Sequence, residues 1–191
     1  MEESTRIRKA IIPVAGLGTR MLPATKAIPK ELLPILDKPL IQFVVEEAIL
    51  AGIQDIIFIT RSGKEAIENH FDVNYELEHR LEISGKNKHL KSVKNLIPKK
   101  VNISSVRQEN ALGLGHAILC AKHLLNEEPF AVLLPDEILF SKETSHDFSD
   151  MLSFFEKSGK GQVLVEKVNK RKISNYGVVD INRKGIKKSS A

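Results

Sequence analysis

Apolar positions along the chain follow two different spacings. Short β-branched runs at residues 10–14, 55–60, 101–106, 130–134 and 161–168 read as strands. Between them lie longer amphipathic stretches. LIQFVVEEAILAG, behind Pro39, places Ile41, Val44, Val45, Ala48 and Ile49 on one helical face and stops at Gly52. Further helices are expected from Gly63 or Lys64 toward His70, from about Tyr75 onward, and over GLGHAILCAKHLL after Gly113. Strands alternating with helices predict an α/β fold, a mainly parallel sheet covered by helices. Leu90, Val93, Leu96 and Ile97 also keep helical spacing, and no aromatic residue interleaves the lysines around them. A solvated helix face is expected there, not a nucleic-acid patch.

Composition narrows this picture little. With 42% hydrophobic and 28% charged residues, the chain can bury one core, and residues 1–191 read as one domain whose polar last residues, 182–191, fray. The net charge of +5 suits an anionic ligand without requiring one. The single cysteine, Cys120, allows no internal disulfide and sits in an apolar run, which fits a reducing compartment. No apolar segment has signal-peptide or membrane-span length. A cytoplasmic protein with neither membrane nor nucleic acid as partner is expected.

The informative stretch is PVAGLGTRMLPATKAIPKELLP, directly behind the first strand. Glycines there let backbone amides approach an anion closely. The dinucleotide fingerprint fails, because a third glycine is needed where Met21 stands, and the second strand ends in Thr60 and Arg61 instead of a ribose-binding acid. The Walker loop fails as well: no Gly-Lys-Ser or Gly-Lys-Thr follows, and Pro23 blocks an immediate helix. What remains is a longer loop in which Gly16 and Gly18 free the backbone, Thr19 offers a hydroxyl, and Arg20 and Lys30 carry positive charge over the strand end. A polyphosphate fits such a cradle; an irregular surface loop stiffened by proline is the alternative.

Ligands of an open α/β sheet sit beyond the carboxyl ends of its strands, so the segments after Val106 and Leu134 should adjoin this loop. The first, RQENALGLGH, offers Gln108, whose amide both donates and accepts as reading a nucleobase edge requires, and Gly113, which lets a flat base lie close to backbone. Gln108 as an ordinary turn residue is the alternative. The second, PDE, offers Asp136, placed as acids that hold Mg²⁺ against phosphate oxygens commonly are; Glu137 reads equally as a cap on the turn. The six histidines are scattered, and His116 reads as structural.

In order along the chain, GLGTRMLPATKAIPKELLPILDKP, TRSGKEAIENHFD, VRQENALGLGHAILCAK, FAVLLPDE and NYGVVD together resemble the sugar-phosphate nucleotidylyltransferases, most closely their uridylyl branch. The resemblance runs from about Arg8 to Asp180. It implies a Rossmann-like nucleotidyltransferase fold with a mainly parallel, mixed sheet, and transfer of uridylyl from UTP to glucose 1-phosphate with Mg²⁺ as cofactor. By matching position it implies catalytic roles for Arg20, Lys30 and Asp136, with Asp136 on the metal. Ala15, Gly16, Leu17, Gly18, Thr19 and Glu31 would contact the nucleotide, Gln108 and Gly113 its base, and Gly177 and Glu137 the sugar. A homo-oligomer is expected.

The family pattern continues with a Glu-Lys-Pro segment, a further lysine and in some members a second metal-binding acid, none of which INRKGIKKSSA matches. The expectation is therefore a fold lacking its C-terminal, acceptor-side part, whether as a fragment or a chain that ends early. A thymidylyl- or other nucleotidylyltransferase and a non-catalytic nucleotide-binding module stay open beside the uridylyl reading.

Overall fold

The computed structural model describes residues 6–138, 147–169, 171, 174, 178 and 179. The chain divides into two compact units, Met1–Gly159 and Lys160–Ala191. In the first, four strands, β1 (Lys9–Pro13), β4 (Asp55–Thr60), β5 (Asn102–Arg107) and β6 (Phe130–Val132), form one sheet in the order β5-β4-β1-β6. All three pairings are parallel. A two-stranded antiparallel ribbon, β2 (Pro34–Ile35) with β3 (Lys38–Pro39), closes the loop after β1. The helices are α1 (Leu40–Leu50), α2 (Glu65–Phe71), α3 (Tyr75–Ile83), α4 (Asn87–Lys94), α5 (Leu114–Cys120), α6 (Lys122–Leu125) and α7 (Asp147–Ser158).

Successive strand side chains point to opposite faces, and here both faces are covered. Ala10, Ile12, Ile56 and Phe58 pack with α1, α2 and α7, whereas Ile11, Ile57 and Ile59 pack under α5 and α6. Every one of these strand residues is buried, which is why the runs read as continuous apolar stretches instead of alternating ones. Helix α1 buries Ile41, Val44, Val45 and Ala48 and ends in a Schellman motif. There Gly52 adopts φ 98°, its N–H donates to Ile49 O, and the Ile53 N–H donates to Ala48 O. The lysine-rich stretch forms α4 as expected, with Leu90 and Val93 half-buried and Lys94 within 3.8 Å of Glu78.

One sequence expectation changes, and one element is new. Residues 161–168, in the second unit, form no strand, and Val163, Leu164 and Val165 are exposed. A β-branched run becomes a strand only when a neighbour takes up its backbone groups, and none does so here among the described residues. Helix α7 was not anticipated; Phe148 and Leu152 dock it onto the sheet. The tail 182–191 lies outside the described residues. No described helix is long and apolar enough to cross a membrane.

Phe58 is fully buried at the sheet centre, so Phe58→Ala should cost about 3–5 kcal/mol in urea unfolding. Leu36→Ala, at a turn residue 95% exposed, should stay within about 0.5 kcal/mol of wild type. On α2, half-buried His70 donates from Nε2 to Gln42 Oε1 at 3.0 Å, and loss of hydration pushes its pKa below the ordinary 6.5. The unfolded chain therefore takes up the proton first. Relative to His70→Gln, the stabilisation is complete above pH 6.5 and is lost as pH falls from there through the lowered folded value, as parallel unfolding titrations would read.

Candidate functional site

The strand order reverses at β1: the chain leaves it toward β4 on one side and later returns to β6 on the other. Such a reversal opens a crevice beyond the carboxyl ends of the two strands. The loop after β1 and the turn after β6 both border it. Val14 N–H still donates to Ile59 O at 2.8 Å, after which the chain leaves the sheet and makes three single-turn 3-10 helices, Thr19–Met21, Ala24–Lys26 and Lys30–Leu32. Pro23 and Pro29 stand immediately before the second and third, where a missing N–H costs nothing.

Gly18 adopts φ 68° and its carbonyl accepts the Thr25 hydroxyl at 2.8 Å. A Cβ on Gly18 would lie 3.1 Å from Lys30 Cβ and 3.3 Å from Thr25 Cγ2; one on Gly16 would lie 3.8 Å from Lys30 Cε. The aliphatic stem of Lys30 thus runs across both glycines. Its Nζ reaches Asp136 Oδ2 at 2.6 Å, spanning the crevice from the β1 loop to the β6 turn. That turn is closed by Glu137 N–H donating to Leu134 O, with Asp136 and Glu137 both exposed. A pair this accessible is worth about 1 kcal/mol at most, so it exchanges readily for another partner.

Ala15 is half-buried at the loop's start, while Gly16, Leu17, Thr19 and Arg20 are exposed. Arg20 has no ionic or hydrogen-bonding partner among the described residues. Glu31, expected against the nucleotide, is 1% exposed, and its Oε2 accepts from Lys64 Nζ at 2.7 Å. Burying a carboxylate requires a cation, and Lys64, itself nearly buried before α2, supplies it. Glu31 Oε1 is buried without a partner. At the neighbouring edge, Glu65's own N–H and that of Gly63 hold its carboxyl below the usual carboxylate value.

The other end of the site lies beyond β5. Gln108 N–H donates to Thr60 O at 2.8 Å, continuing the ladder, and the side chain is buried. Its Nε2 donates to Gly113 O at 3.2 Å and lies 3.0 Å from His116 Nδ1. Gly113 precedes α5 at φ 91°. Three strand spacings, roughly 14 Å, separate β5 from β6. Gln108 and the Lys30–Asp136 pair therefore occupy opposite ends of one row of loops, enough for a nucleotide with its base at one end and phosphates at the other.

Among the described residues no group of three His, Cys, Asp or Glu side chains could hold a metal. Asp136 offers one accessible carboxylate, which suits a hard dication completing its shell with phosphate oxygens and water. Gly177 lies outside the described residues.

Residues 9–189 match the family described as nucleotidyl transferase. The chain belongs to that family. It is 52% identical over 180 residues to the UTP–glucose-1-phosphate uridylyltransferase of Escherichia coli K12, covering 93% of this chain and 59% of that protein. The enzyme of the same name from Haemophilus influenzae is 53% identical over 175 residues, covering 90% and 59%. Among solved structures, the UTP-bound UGPase of Acinetobacter baumannii superposes with a TM-score of 0.89 at 46% identity, covering 94% of this chain and 63% of that one. The chain thus spans about 59% of the length of these curated nucleotidyl transferases. Its parallel sheet flanked by helices is the α/β architecture that the sequence led us to expect.

Two side chains at the site escaped the sequence reading. Lys64 stands inside the motif TRSGKEAIENHFD with no role read from sequence, and His116 reads there as structural alone. A lysine directly after Gly63, heading a helix, was the available signal for the first. Lys64→Met should destabilise the fold by about 3–5 kcal/mol, because it strands the Glu31 carboxylate in the interior. The double variant Glu31→Met/Lys64→Met should recover most of that loss in guanidinium unfolding; an unchanged midpoint for Lys64→Met alone would show that the pair does not hold the turn.

Proposed function

We propose that this chain supplies the nucleotide-binding side of a uridylyl transfer in which UTP and glucose 1-phosphate give UDP-glucose and pyrophosphate. The observation that carries the reading is the 2.6 Å contact of Lys30 with Asp136 across the crevice, beside Gly18, whose positive φ and close approach to the Lys30 stem call for a glycine. The names of its relatives, UTP–glucose-1-phosphate uridylyltransferases at 52% and 53% identity, support the choice of substrates.

A phosphate oxygen of glucose 1-phosphate attacks the α-phosphorus of UTP. The bond from that phosphorus to the oxygen bridging the α and β phosphates breaks, and its electron pair leaves with pyrophosphate. The nucleophile is already ionised, so no general base is required. The task of the protein is alignment and neutralisation of charge gathering on the departing oxygens. Arg20, exposed and uncommitted, would bind the phosphates. Lys30 would exchange Asp136 for a phosphate oxygen, and Asp136 would then be free to hold Mg²⁺, which supplies further neutralisation when bound. Gln108 and Gly113 would take the uracil.

The assay offers the protein Mg²⁺, glucose 1-phosphate and each nucleoside triphosphate in turn, with pyrophosphate release as readout. Release with UTP alone is expected; UTP bound without turnover would reduce the reading to a nucleotide-binding module. Arg20→Ala and Lys30→Ala should each lower kcat on the order of 10²-fold, the cost of removing one group that meets developing charge. Asp136→Ala should abolish turnover, and near-normal rates in any of the three would overturn its role.

A further inference from the structure

The amide of Gln108 is held in one orientation by what surrounds it. A backbone carbonyl oxygen can only accept, so the amide group 3.2 Å from Gly113 O must be the nitrogen. The same nitrogen lies 3.0 Å from His116 Nδ1, which then accepts the second amide hydrogen and leaves the ring proton on Nε2. Cys120 Sγ lies 3.9 Å from the same Nδ1. Both hydrogens of Gln108 are therefore committed inside the protein. The polar atom left to a ligand is Oε1, which accepts from no group among the described residues.

We propose that His116 is a positioning residue for base selectivity: by holding the Gln108 amide it leaves an acceptor alone facing the base, which favours a pyrimidine carrying a proton on N3 over one carrying a lone pair there. This rests on the uridylyl reading and on Gln108 meeting the base. Uracil presents N3–H to Oε1. Cytosine presents an N3 lone pair, so two acceptors face each other and the site repels it. A freely rotating amide would turn its NH₂ toward cytosine at little cost, and selectivity would be lost. Histidine thus contributes without touching the ligand. The selectivity does not extend to thymine, which shares the N3–H, and any discrimination there must come from space around its methyl group.

Calorimetric titration of the chain with UTP and with CTP, in Mg²⁺, tests this on wild type, His116→Leu and His116→Asn. Wild type should prefer UTP. His116→Leu removes the acceptor and should narrow the UTP-to-CTP affinity ratio about tenfold, the scale of one well-made base contact. His116→Asn keeps an acceptor, Oδ1, near the Nδ1 position and should preserve the ratio. Loss of packing alone would weaken both nucleotides together and leave the ratio unchanged. An unchanged ratio in His116→Leu, or a loss in His116→Asn equal to that in His116→Leu, overturns the proposal while the uridylyl reading stands. If wild type binds neither nucleotide, the uridylyl reading fails and this proposal with it. Circular dichroism checks folding, and His116→Ala carries the same expectation should the leucine variant not fold.

Discussion

A strand bonded on both edges and buried on both faces has only its ends to offer a ligand, and β1 is such a strand. Because β4 and β6 run parallel to β1 along its two opposite edges, the loops that leave β1 and β6 come to the same end with a gap between them. The role proposed for Lys30 and Asp136 follows from that gap. Side chains must bridge it, and a lysine with four methylenes is long enough to do so while lying flat over glycine.

Holding that lysine requires a fixed backbone at its root. The 3-10 turn Lys30–Leu32 is tied down from beneath by the neighbouring residue, Glu31, through Lys64. Adjacent residues in such a turn point in different directions, so one carboxylate directed inward sets one ammonium facing outward. A buried ion pair is a weak source of stability compared with apolar packing, but it is directional, and direction is what this turn needs. A similar division is proposed at the far end, where Gly113 and His116 hold the Gln108 amide and leave its oxygen for a ligand.

The strands and main helices were legible because apolar runs and 3.6-residue spacing report burial directly. Residues 10–14, 101–106 and 130–134 came within one or two residues of β1, β5 and β6. The strand expected at 161–168 failed because pairing depends on a partner that no local pattern encodes. Around the proposed cleft, the type and position of the glycines, Arg20, Lys30 and Asp136 behind strands mark them as candidates, and the structure brings Lys30 and Asp136 together. The inward turn of Glu31 did not, since a charged residue in a loop carries no mark that it is buried, and the counter-ion lies 33 positions away. His116 was invisible for a related reason: its value lies in which atom of a neighbour it occupies.

The Lys30–Asp136 contact also governs how the cleft looks to an ion still in bulk water. An ammonium and a carboxylate 2.6 Å apart cancel at any range beyond about 10 Å, the screening length at 0.1 M salt, and there act only as a weak dipole. The monopole that an approaching triphosphate would feel, on the function proposed above, belongs instead to exposed groups such as Arg20 and Lys26. Lys30 enters once an anion is near enough to displace Asp136. On the proposed function, capture and grip would thereby fall to different cations, and the tighter one would stay masked until a ligand of sufficient charge density had arrived.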